Sequence, residues 1–175
     1  MSFQAERLSD VLSVARAKRM STRIELLQQM AVFGAIRTDV LEFLLDEAKT
    51  VSLAQGEFFF RQGEPGESMF VLERGRVEIL KERTGAEPHV LRDLGAGDCF
   101  GEMAIMDLAP RSASVRALED CVAIEVSSAN LMRLYQKDLE QFALIEMNLG
   151  RELSRRLREA DERMDRMFIG VKEPR

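Results

Sequence analysis

Between residues 3 and 19 the apolar positions Leu8, Val11, Leu12 and Ala15 recur at the spacing of one helix face. Thr22 and Glu25 have the form of a capping box, which predicts a second helix opening there with Ile24, Leu26, Leu27 and Met30 inward. Phe33-Gly34-Ala35-Ile36 breaks that pattern. Asp39 and Glu42 then predict the cap of a third helix, with Val40, Leu41, Phe43, Leu44 and Ala48 as its apolar sites. From Thr50 the period shortens. Strands are predicted at Thr50 to Ala54, Glu57 to Phe60, Ser68 to Glu73, Arg76 to Glu82, His89 to Leu94, Ala113 to Ala117 and Cys121 to Val126. Gln55-Gly56, Gly63-Glu64-Pro65-Gly66, Arg74-Gly75 and Thr84-Gly85 punctuate them. Some seven short strands with regular turns indicate a sandwich or jelly roll. The triplet Phe58-Phe59-Phe60 reads as core, and three consecutive strand residues must point both ways across a sheet.

From Ser128 the pattern is helical again. Asp138 and Gln141 predict the start of a long helix reaching about Phe168. Its apolar sites Leu149, Leu153, Leu157, Ala160, Met164 and Met167 recur in steps of four, four, three, four and three, a coiled-coil-like seam. Near Phe142 to Leu149 the stripe is expected to pack on its own domain. Beyond Leu157 the helix is expected to outrun that domain and meet a partner helix.

Composition narrows the function classes. Hydrophobic residues make up 46% and charged residues 31%, the proportions of an ordinary soluble protein. A net charge of −5 speaks against a dedicated nucleic-acid binder, which needs clustered Lys and Arg. The local exception, Arg16-Ala17-Lys18-Arg19 with Arg23, reads as a solvated helix face. No apolar run approaches a membrane span and no signal peptide opens the chain, so a cytoplasmic location and no membrane partner are expected. Cys99 and Cys121 lack metal-ligand spacing and read as buried thiols. His89, the single histidine, is expected at a strand start beside Pro88; it leaves no room for a His-based metal site or acid–base mechanism.

The chemistry concentrates in residues 100–115, Phe100-Gly101-Glu102-Met103-Ala104-Ile105-Met106-Asp107-Leu108-Ala109-Pro110-Arg111-Ser112-Ala113-Ser114-Val115. Glu102 and Arg111 sit inside a mostly apolar run, and such residues are almost never buried without a partner. Gly101 permits a positive φ or a close backbone approach. Glu102 to Met106 can form one helical turn whose first N–H groups lack internal acceptors. Arg111, expected at the start of a strand, can grip two phosphate oxygens through its planar guanidinium. An ionised Glu102 accepts from sugar hydroxyls. The stretch therefore reads either as a pocket for a sugar phosphate of low charge or as a loop closed by an internal Glu102–Arg111 salt bridge.

The register Phe-Gly-Glu-[apolar]-Ala…Pro-Arg-[small]-Ala-x-Val resembles the phosphate-binding cassette of the cyclic nucleotide-binding domain family. Gly56-Glu57-x-x-Phe60-x-x-Gly63-Glu64-x-Gly66 and Gly75 extend the resemblance over about residues 33–157. It implies that Glu102 binds the ribose 2′-hydroxyl and Arg111 the exocyclic phosphate oxygens. The amides of Met103 and Ala104 complete the cradle after Gly101, and Ser112 adds a hydroxyl. The implied fold is α+β: a double-stranded β-helix (jelly-roll) barrel at 49–127, flanked by N-terminal helices at 1–48 and C-terminal helices at 128–175 that act as lid and dimer helix.

The implied function is a non-enzymatic sensor of cAMP, less readily cGMP, because Ser112 stands where a Thr often accompanies cGMP. In the catabolite activator branch a Thr-Ser pair on the long helix reads the base. Aligning Leu153-Ser154-Arg155-Arg156-Leu157 with that branch puts Ala160 and Asp161 there. That branch carries its DNA-binding module after the long helix, and none follows Phe168, so no DNA binding is expected. Output would pass to an unknown downstream protein or through a homodimer. The alternative is a nucleotide-unresponsive dimeric adaptor of the same fold. An enzyme of the similar cupin barrel would need a histidine cluster that this chain lacks.

Overall fold

The computed structural model describes residues 2–171. Helix α1 runs unbroken over Ser2–Gln29, where two helices were expected. Thr22 does not cap: its Oγ1 donates to the Lys18 carbonyl at 3.1 Å, one turn back. A Thr inside a helix can bond either way, and no Gly or Pro lies between 2 and 29 to force a break. Ile24, Leu27 and Met30 are buried, whereas the side chains of Leu8, Val11 and Leu12 lie outside the described residues. A 3₁₀ turn at Ala31–Phe33 leads to α2 (Thr38–Glu47). Asp39 is not its cap either; Arg37 holds that position, and Asp39 pairs with it in the first turn at 3.0 Å.

Eight strands follow: β1 (Lys49–Leu53), β2 (Phe58–Phe60), β3 (Ser68–Arg74), β4 (Arg76–Arg83), β5 (Ala86–Gly95), β6 (Cys99–Phe100), β7 (Ser114–Ala117) and β8 (Cys121–Ser127). They form two four-stranded antiparallel sheets in the orders β1-β8-β3-β6 and β2-β7-β4-β5, the jelly-roll arrangement expected. Strand β6, two residues long, shows no period and was not foreseen. His89 lies within β5, exposed and opposite Lys81, not at a strand start, because β5 begins three residues earlier.

Strand β3, inside the first sheet, is buried on both faces, which explains its uninterrupted apolar run. Phe70 and Leu72 face the second sheet with Phe60, Val77, Leu94, Phe100 and Val115. Met69 and Val71 face the helices with Leu41, Leu44, Leu134, Ile145 and Leu149. In β2 the register slips between Phe58 and Phe60. This bulge lets both Phe59 and Phe60 reach Phe70 and Phe100, while Phe58 lies under the Arg61 guanidinium at 3.8 Å.

Helix α4 (Ser128–Lys137) opens on a capping box, with the Ser127 amide bonded to Asn130 Oδ1 at 2.8 Å and the Asn130 amide to Ser127 Oγ at 3.2 Å. Asp138 caps α5 (Leu139–Val171), accepting the Gln141 N–H at 3.1 Å. Asn148 fastens α5 to the entry segment, donating to the carbonyls of Val32 and Gly34 at 3.2 and 3.0 Å. Farther along, Leu157 and Met164 are 63% and 53% exposed, and Met167 lies outside the described side chains.

Candidate ligand-binding site

Gly101 ends β6 at φ +81°, and helix α3 (Met103–Met106) begins two residues later. The positive φ is needed here. A Cβ at Gly101 would lie 2.7 Å from Arg111 Nη1 and 3.3 Å from the Ser68 carbonyl. The Glu102 carbonyl accepts from Ile105 and Met106 at 3.1 Å, which closes the turn. The amides of Met103 and Ala104, at its head, have no acceptor within it.

Arg111 lies three residues ahead of β7, not at a strand start. Its backbone pairs with the Gly63–Gly66 turn instead, through Arg111 N to Glu64 O at 2.8 Å and Gly63 N to Arg111 O at 2.9 Å. Gly66 makes this approach possible, since a Cβ there would meet Ala104 Cβ at 2.4 Å. The Arg111 guanidinium stacks 4.0 Å from the centre of the Phe60 ring. Nη1 donates to the carbonyls of Ser68 and Gly101 at 2.6 and 2.9 Å, and Nη2 to Ser68 Oγ at 3.2 Å. Its Nε is buried with no protein partner. Burial weighs against the charged form and lowers its pKa, and Arg111 is 6% exposed with no carboxylate bonded to it. A buried cation so held, with a donor unused, is poised for an anion.

Glu102, 3% exposed, does not pair with Arg111. It pairs with Arg156 of α5, 54 residues on in the chain. Arg156 also donates to the Cys99 carbonyl at 2.9 Å and to Glu152 Oε1 at 2.7 Å. Burial works against its charge, but Glu102 and Glu152 outweigh it and raise its pKa. The internal Glu102–Arg111 salt bridge is therefore not formed. Both residues line one cavity, together with Gly101, Met103, Ala104 and Ser112. Its free volume is about 60 Å³. Ser112 Oγ contacts Met103 Sδ at 3.6 Å. Phe60, Ile79, Arg92 and Phe100 form further walls. Beneath the floor, burial pushes the Cys99 thiol up to about 12, so it stays a neutral core group.

Sequence reasoning missed Arg156 and Arg92, and neither Ala160 nor Asp161 lines the cavity. The Glu152–Arg156 spacing of one helical turn was readable, but the reach of Arg156 to Glu102 depends on how α5 crosses the barrel. Arg155, at 2.7 Å, and then Arg156 hold the Glu152 carboxyl below the usual carboxylate range. Its contribution to stability is complete above the ordinary carboxylate pKa and is lost as acid reaches the depressed folded value. Glu152→Gln is therefore expected to flatten the stability profile below about pH 5, measured by urea unfolding across pH. An unchanged acid limb would mean that the carboxylate is not coupled to folding.

The sequence model of the cyclic nucleotide-binding domain matches residues 50–138. A cyclic AMP receptor protein of Thermus thermophilus is 35% identical over 138 residues, covering 77% of this chain and 60% of that protein. The chain thus spans less than two thirds of that relative's length. The crystal structure of Thermus thermophilus catabolite activator protein superposes with a TM-score of 0.69 at 29% identity, covering 78% of this chain and 62% of that one. A cyclic nucleotide-binding domain from Methylobacillus flagellatus reaches a TM-score of 0.75 at 21% identity, covering 90% and 86%, a likeness of fold. With the cassette register, the two-sheet architecture and the family match in agreement, the chain belongs to the cyclic nucleotide-binding domain family, in its catabolite activator-like branch.

Proposed function

We propose that this protein is a non-enzymatic sensor that binds a 3′,5′-cyclic purine nucleotide between Arg111 and Glu102 and transmits the event through α5. The observation that carries the reading is the buried Arg111 guanidinium, with a free Nε, beside the open amides of Met103 and Ala104. A cyclic phosphate supplies acceptors for both. Glu102 faces the same space, where a ribose hydroxyl can donate to it, and Ser112 adds a hydroxyl at the rim. Both purine nucleotides share this ribose and phosphate, so these groups do not choose between cAMP and cGMP. The name of the Thermus relative and the Ser112 side chain speak for cAMP.

Arg156 supplies the link to output, because a sugar hydroxyl on Glu102 changes the balance of the ion pair that holds α5 down. The exposed Leu157 and Met164 then suit a second copy of this helix or a downstream protein. The alternative, a nucleotide-unresponsive adaptor, draws on the same stripe and on Glu102 being already paired.

Thermal unfolding with nucleotide separates the two. A ligand at a hundred times its dissociation constant stabilises the bound form by about 2.7 kcal/mol. For a chain of this size that raises Tm by about 5–10 °C. No shift with millimolar cAMP or cGMP would leave the adaptor reading standing.

A further inference from the structure

Side chains alternate along a strand, so Val77, Ile79 and Lys81 of β4 fall on one face. Val77 is buried core and Ile79 lines the ligand cavity. Lys81, half-buried, comes next on that face. Its ammonium donates to the Ser112 carbonyl at 2.6 Å. Ser112 follows Arg111 in the chain and lines the cavity with it. Among the described residues Lys81 forms no ion pair. The β5 residue opposite it is His89, and the adjacent carboxylate, Glu82, is taken by Ser114.

The segment that Lys81 touches is tied at both ends. The Arg111 backbone is held by the Gly63–Gly66 turn. Three residues on, the buried Ser114 Oγ accepts the Gln62 N–H at 2.8 Å and donates to Glu82 at 2.6 Å. The Gln62 side chain closes this loop of bonds by accepting the Glu82 N–H at 3.0 Å. Between these ties stands the Ser112–Ala113 peptide, and the bond from Lys81 falls on it. A peptide unit is planar, so holding the Ser112 carbonyl also fixes the direction of the Ala113 N–H. Ala113 lines the cavity as well.

Such a bond adds little to folding. Ordering a lysine side chain costs rotamer freedom comparable with what one hydrogen bond at the surface returns. What it does fix is the shape of the chain beside Arg111. Resting on the reading that this cavity takes a cyclic nucleotide, we propose that Lys81 is a positioning residue of the phosphate end. It acts through the Ser112 carbonyl and holds the chain from Arg111 to Ala113 in the form that receives the two exocyclic oxygens.

Titration calorimetry of the full chain with cAMP and with its two phosphorothioate diastereomers tests this, because each diastereomer replaces a different exocyclic oxygen by sulfur. Lys81→Met keeps the aliphatic stem and removes the donor. It is expected to bind cAMP about fivefold or more weakly and to change the affinity ratio of the two diastereomers by about threefold or more. The melting temperature of the ligand-free variant should stay within about 2 °C of wild type. Lys81→Arg, which can still donate to the carbonyl, should restore most of the affinity and the ratio. Wild-type affinity in Lys81→Met would overturn the proposal. So would a loss of affinity with the diastereomer ratio unchanged, since that describes general attraction or general damage and not a displaced oxygen contact. Binding of neither cAMP nor cGMP by folded wild type would overturn the cyclic-nucleotide reading, and this role with it.

Discussion

An Arg111→Ala variant is expected to bind cyclic nucleotide at least about a hundredfold more weakly than the wild-type chain. Removing one member of a buried, hydrogen-bonded charge pair costs about 2–5 kcal/mol, and a factor of a hundred is about 2.7 kcal/mol. The upper part of that range applies here because the ligand's phosphate would be left against amides that carry only partial charge. Stability should change less. The variant loses the bonds from Nη1 to Ser68 and Gly101, but it also loses a buried cation with an orphaned Nε. A net loss of about 1–2 kcal/mol is expected in urea unfolding of the ligand-free chain. Arg111→Lys keeps the charge and lacks the fork, so its affinity should fall between the two. Calorimetry that found wild-type affinity in Arg111→Ala would remove this guanidinium from the ligand's contacts.

The second large effect concerns folding. Arg156→Ala leaves Glu102 buried with no cation bonded to it and deprives Glu152 of one of its two arginines. Breaking a buried pair from one side costs about 3–5 kcal/mol, since a charge stays behind without compensation. For a chain of this length that lowers the melting temperature by about 10 °C. The cost lies mostly in the stranded carboxylate. Glu102→Gln added to the same chain is therefore expected to recover a substantial part of it, although ligand binding would still be impaired. If the double variant were no more stable than Arg156→Ala, the loss would come from the packing of α5 and not from Glu102.

These two residues differ in how visible they were beforehand. Arg111 belongs to a contiguous register in which Gly101, Glu102, Ala104 and Pro110 hold their places along the chain. A loop that must fold back on itself over so few residues has few solutions, so its geometry was legible. Arg156 was not. Its partner sits 54 residues away, and nothing local distinguishes it from Arg155, which points to solvent-exposed Glu159 as well as to Glu152. The face of α5 that meets the barrel follows from the Asn148 anchor on the Val32 and Gly34 carbonyls and from burial of Ile145 and Leu149. No periodicity encodes that crossing.

The same contrast runs through the fold. Order and type of most elements followed from apolar period and turn residues, which act over a few neighbours and survive in any context. The strand at β3 and the long apolar stripe of α5 were legible for that reason. The continuity of α1 was not, because Thr22 serves equally as a cap or as a back-bonding helix residue, and the burial of Ile24, Leu27 and Met30 in the helix-side core settles the choice. Nor was β6, whose two residues exist as a strand only beside Val71 and Phe70. Local rules thus wrote the turn that carries Gly101, Glu102 and Arg111, and the list of elements, into the chain. The partner of Glu102 and the inward aim of Arg92 arose when distant segments closed on one cavity, since charge pairing and burial depend on what lies across the gap and not on what comes next in sequence.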